Sequence, residues 1–110
     1  MADATGVVAV FVTMPDVESA EGMGAALVEE RLAACANVVH GVTSLFRWEG
    51  EVRRETEALM MIKTTGDRAD ALRARVVELH PHDVPEVVAM DVVSGHAPYL
   101  DWVRTEVRGA

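Results

Sequence analysis

The stretch "ACANVVHGVTSLFRWEGEVRRETEALMMIKTT", residues 34 to 65, decides the fold. Both arms are rich in β-branched and apolar residues and flank Glu49-Gly50, so the simplest reading is one long hairpin that turns at that dipeptide. Arms of roughly 13 residues at about 3.3 Å each reach ~43 Å. A helix of roughly 15 residues, the natural cover for such a sheet, spans only ~22 Å. The hairpin therefore overshoots its own domain, yet its distal part still carries Leu45, Phe46, Trp48 and Val52. A two-stranded ribbon alone in water exposes such side chains at a cost, and the expectation is an obligate homo-oligomer.

Working outward, "VVAVFVT" (residues 7–13) is a continuous apolar run of strand length and belongs inside a sheet covered on both faces. Asp16 is a good N-cap for a helix whose inward positions are Ala20, Met23, Leu27 and Arg31. Gly22 and Gly24 each weaken that helix by about 1 kcal/mol relative to alanine, so tertiary packing must hold it. Beyond the hairpin, Asp67 caps a second helix with Ala69, Leu72, Val76 and Leu79 on one face, ending before Pro81. "PEVVAMDVV" (residues 85–93) reads as a fourth strand, and Pro98 opens a short helix packed through Tyr99, Leu100, Trp102 and Val103.

The order is βαββαβ with an extra C-terminal helix: an α+β, ferredoxin-like arrangement with an antiparallel sheet and a long β2-β3 hairpin. The first and third strands lie inside, the second and fourth at the edges. The fourth strand is apolar on both faces, and a bare edge of that kind invites uncontrolled pairing. Hairpin arms and fourth-strand edges are therefore expected to pair between subunits.

At 110 residues the chain reads as one domain, residues 1–110, with a single core. A net charge of -8 and a pI near 4.8 argue against nucleic acid or an anionic membrane as a partner, because phosphate binding needs clustered Lys and Arg. No segment approaches the ~20 apolar residues of a membrane helix. The single Cys35 excludes an intramolecular disulfide and fits a reducing compartment, so the expected localisation is cytoplasmic. Cys35 sits between small apolar residues and reads as a buried small hydrophobe.

"ELHPHDVPE" (residues 78–86) places two histidines and three acids within nine positions, residue types that suit zinc, copper or nickel. His80 and His82 are alternate residues of an extended segment and could face the same way as a metal pair. On the structural reading, His80-Pro81 only stops the helix. Glu57 and Lys63 interrupt an apolar central strand, where a charge must be paired or face a polar cleft. Neither a G-x-S-x-G elbow nor an H-E-x-x-H pair occurs, so no catalytic residue or cofactor site is assigned.

"ERLAACANVV", "TSLFRWEGEV", "MMIKTT", "HPHDVPEVVAM" and "YLDWV" stand in the order and approximate spacing of the CutA family of divalent cation tolerance proteins, and the chain resembles that family from about residue 7 to 107. The resemblance implies a ferredoxin-like homotrimer with sheets continued between subunits, similar in shape to PII-type signalling proteins. It implies a role in divalent metal tolerance, family members being linked to copper and other divalent ions, and no family-wide reaction. In copper-binding relatives the ligands resemble a first-strand cysteine and a histidine pair; this sequence has Val12 and Leu79 at two of those positions and keeps His80. Trp48, Lys63, Glu86 and Tyr99 resemble recurrent residues of the family's inter-subunit cleft. There, with Glu57, they would form either a network stapling the trimer or a pocket for a small anionic or metal-linked ligand. The function expected is a non-enzymatic trimer that handles divalent metal; the alternatives are a PII-like sensor and an enzyme using Lys63 with Glu57 or His80 in the cleft.

Overall fold

The computed structural model describes residues 5–108. Strand β1 (Val7–Met14) sends Val8, Val10, Val12 and Met14 to one face, where they are buried. Helix α1 (Val17–Glu29) covers that face with Ala20, Met23, Gly24 and Leu27. Its cap is Asp16, whose carboxylate accepts the Ser19 N–H at 2.7 Å. Strand β2 (Cys35–Trp48) and strand β3 (Glu51–Thr65) form the hairpin, followed by α2 (Gly66–Leu79), β4 (Val87–Asp91) and α3 (Ala97–Arg108). The antiparallel sheet has the order β2-β3-β1-β4, so β1 and β3 are central and β2 and β4 are the edges, as the βαββαβ element order implies.

The hairpin turns where expected. Glu49 (φ 51) and Gly50 (φ 81) both take left-handed conformations, the pair that a two-residue hairpin loop demands and that glycine meets at least cost. The arms are not straight, however. Val39 pairs with Leu59 but Val42 pairs with Glu57, so His40 and Gly41 together oppose one residue, Ala58. This is a β-bulge, with Gly41 at φ 69 absorbing the kink.

Three local expectations are corrected. Arg31 lies past the end of α1, exposed and at φ 58, because the chain leaves the helix after Glu29; its guanidinium donates to the Glu106 carbonyl at 2.8 Å. Asp67 is the second residue of α2 rather than its cap; Thr65 precedes the helix and its hydroxyl donates to Asp67 Oδ1 at 2.5 Å. Leu79 is 39% exposed, because the inward row of α2 steps by fours from Leu72 to Val76 to His80, which is 8% exposed.

The main core lies between the sheet and the paired helices α1 and α2. Helix α3 crosses the other face at one end only, packing Leu100, Val103 and Val107 on Val7 and Ala34. The rest of that face stays open. Its rows, read from the pairing, are Asn37–Met61–Phe11–Val88 and Cys35–Lys63–Ala9–Met90. Val88 and Met90, at the β4 edge, are 46% and 49% exposed.

Candidate functional site

Beyond the bulge, Val42, Ser44, Phe46 and Trp48 pair with Glu57, Glu55, Arg53 and Glu51 and so share their face of the ribbon. That face points the same way as Thr13, which pairs with Leu59 two residues along β3 from Glu57. The segment 81–86 between α2 and β4 stands opposite. Between ribbon and segment lies a groove of about 620 Å³. Phe46 and Trp48 are among its apolar lining, and Glu55, Glu57, His82, Asp83 and Glu86 among its polar lining.

The wall formed by 81–86 is held by one imidazole. His80 Nδ1 accepts the backbone N–H of His82 at 3.1 Å, so the ring proton must sit on Nε2, which donates to the Thr13 carbonyl at 2.8 Å. Both ring nitrogens are engaged, and His80 can take a metal only by surrendering one of these bonds. The His82 ring stacks at a tilt on His80, centroids 4.9 Å apart, and is itself exposed. As folded, the pair offers one free imidazole.

The carboxylates are equally informative. Arg53, the cation of the groove, is shared by Glu49 at 3.7 Å and Glu51 at 3.9 Å, both near the turn. Among the described residues Glu55, Glu57, Asp83 and Glu86 make no ion pair. The groove is therefore anionic, while Phe46 and Trp48 give it an aromatic wall.

Lys63 and Tyr99 lie elsewhere. Lys63 pairs with Cys35 across the hairpin, and its ammonium donates to the Asn37 side chain, which also accepts from the Cys35 thiol at 3.7 Å. Tyr99 on α3 reaches the same cluster: burial pushes its phenol up, and the neighbouring Cys35 adds to the shift. Six residue steps along β3 take Glu57 to Lys63, about 20 Å along a strand. One chain thus gathers Trp48, Glu57, Glu86 and His82 in the groove and leaves Lys63 and Tyr99 at the α3 end.

Sequence reasoning missed Glu55, Asp83, Phe46 and Arg53 as groove residues. The available signal was the turn at Glu49-Gly50, since counting back from it sets Trp48, Phe46, Ser44 and Val42 opposite Glu51, Arg53, Glu55 and Glu57.

Among the described residues no helix is long and apolar enough to cross a membrane. The family model of the CutA1 divalent ion tolerance protein matches residues 8–106. The chain is 50% identical over 95 residues to the divalent-cation tolerance protein CutA of Thermus thermophilus, covering 86% of this chain and 92% of that one. It is 45% identical over 96 residues to the human Protein CutA, covering 87% of this chain but only 54% of the human protein, so it spans about half of that relative. The crystal structure of CutA1 from Oryza sativa superposes with a TM-score of 0.92 at 36% identity, covering 97% of this chain and 98% of that one. With a family model across nearly its whole length, half of 95 aligned residues identical in a bacterial relative and the same fold, this chain belongs to the family of CutA1 divalent ion tolerance proteins.

Proposed function

We propose that this chain works without catalysis, as a cytoplasmic homotrimer that binds a divalent metal ion, copper among the candidates, at the anionic groove. The observation that carries the reading is the free imidazole of His82 beside the unpaired carboxylates of Asp83 and Glu86. Imidazole nitrogen and carboxylate oxygen are donors that borderline divalent ions accept. The name of the family, divalent ion tolerance, supports the same chemistry.

Among the described residues no three His, Cys, Asp or Glu side chains of one chain converge closely enough to hold a metal. A tight site therefore needs ligands from a second copy. Three features support a trimer: the open sheet face, the free β2 and β4 edges and the overshooting hairpin. A threefold ring uses a heterologous contact that closes on itself and leaves no edge unpaired. In that assembly we assign Lys63, Tyr99 and Cys35 to a polar staple near the interface; a small anionic ligand held by Lys63 is the competing use. Roughly 20 Å between Lys63 and Glu57 keeps those two from acting as an acid-base pair within a chain, which supports the non-catalytic reading.

Calorimetric titration of Cu(II) and Zn(II) into wild type, His82→Ala and His80→Ala tests the proposal. His82→Ala is expected to weaken binding more than His80→Ala does. Equal binding by wild type and His82→Ala would remove His82 as a ligand and the groove as the metal site.

A further inference from the structure

Helix α3 lies outside the βαββαβ succession and is fastened differently from α1 and α2. Those two helices share one cluster of buried side chains with the sheet, to which α1 brings Ala20, Met23 and Leu27 and α2 brings Leu72 and Val76. Helix α3 adds nothing to it. Its Leu100, Val103 and Val107 are buried with Val7 and Ala34 in a second cluster that shares no residue with the first. Val7 and Val8 leave β1 on opposite faces, so the sheet itself stands between the two clusters. The chain that joins β4 to α3, residues 92–96, has no regular structure and is exposed from Val93 to His96.

The polar fastenings of α3 to the rest of the fold are arginine bonds to backbone carbonyls. Arg104 donates twice to the Thr5 carbonyl, from Nε at 3.1 Å and from Nη2 at 2.6 Å. Arg31 donates to the Glu106 carbonyl near the end of α3, and it does so from φ 58, a conformation that favours glycine. The post to which Arg104 ties is anchored without α3, because the Thr5 hydroxyl donates to the Val92 carbonyl at 2.6 Å. A released α3 would therefore find its seat still in place.

We propose that α3 is a releasable strap, which leaves the sheet and melts as one unit while the sheet and its cover of α1 and α2 stay folded. A free helix of 12 residues is marginal in water, because so few turns return little against the cost of nucleation, so release and melting are one event. Release exposes the smaller cluster and spares the larger one, which places it below global unfolding in free energy. Docked, the strap closes one end of the sheet face. Released, it bares Val7 and Ala34 and lengthens the open part of that face.

Amide hydrogen exchange of the full chain in its native assembly, followed over a series of low urea concentrations, tests the strap. The amides of Val103 and Val107 should exchange roughly tenfold or more faster than those of Val10 and Ile62, with a shallower urea slope because less surface opens. Arg104→Gln deletes both bonds to Thr5 and should speed Val103 and Val107 by roughly a further tenfold; Val107→Ala acts in the same direction at the other end of the strap. Gly22→Ala, which strengthens α1, should slow Val10 and Ile62 by roughly threefold and leave Val103 and Val107 unchanged, since α1 stays folded while the strap is open. If Gly22→Ala leaves Val10 and Ile62 unmoved, Val76→Ala replaces it with the opposite sign: faster exchange in β1 and β3, none in α3. Exchange of α3 in step with β1 and β3 in rate and slope, an α3 rate that ignores Arg104→Gln, or one that follows the substitutions in α1 or α2 would each overturn the proposal. Unprotected amides at Val103 and Val107 would overturn it as well, because α3 would then not be docked.

Discussion

His80 shows how one side chain can look like a ligand and serve as a fastener. Its two ring nitrogens join the β1 carbonyl of Thr13 to the N–H of His82, so the imidazole holds the 81–86 wall against the sheet. His80→Ala orphans that donor and that acceptor in a partly buried place and should cost about 2 kcal/mol, measured as a lower urea midpoint with an unchanged slope. At the start of α1, the Ser19 N–H, aided by its hydroxyl, holds the Asp16 carboxyl below the usual carboxylate range. A lowered folded value means that the cap contributes fully above the unfolded carboxylate range and is lost as pH falls through the folded value. Asp16→Asn still caps but does not titrate, so its acid unfolding curve should lack that component. His80-Pro81 as a helix stop and Asp16 as a cap were legible because both follow from local backbone chemistry. That both His80 nitrogens are consumed was not legible, since Thr13 lies 67 residues away in sequence.

At the scale of elements, all seven were readable from periodicity and punctuation, and the sheet order followed from the βαββαβ succession, the fourth strand being an edge although it is apolar on both faces. The bulge was not readable from apolarity, because one extra residue leaves the local composition of β2 unchanged. The groove was not legible because its second wall, residues 81–86, is brought to the ribbon only by the tertiary fold, and Lys63 and Tyr99 stood beside Trp48 only through resemblance. The two glycines of α1 now separate. Gly22 is exposed with nothing near a built Cβ, whereas at Gly24 that atom would meet the Ala36 Cβ at 3.2 Å. Gly22→Ala should therefore stabilise by about 0.5 to 1 kcal/mol in thermal unfolding, and Gly24→Ala should gain less or lose. Gly50→Ala places a Cβ at φ 81 and should cost about 1 kcal/mol, with the hairpin otherwise intact by amide exchange.

For the whole molecule the decisive feature is an apolar sheet face that α3 covers at one end alone. If a trimer buries it, sedimentation should give three times the chain mass of 11.9 kDa at micromolar concentration. Met90→Glu, harmless on a solitary chain because Met90 is half exposed, should then keep its circular dichroism and lose the assembly. A mass of one chain for the unmodified protein would end the trimer reading. The kink at His40-Gly41 carries a last implication for such an assembly. Side chains along a ribbon alternate like the colours of a chessboard, and a bulge lets one strand carry an extra square while the paired colours on either side of it still match. Deleting Gly41 would set His40 alone opposite Ala58 and keep Phe46 and Trp48 opposite Arg53 and Glu51, so a one-codon edit would take out the kink and leave the aromatic wall where it is.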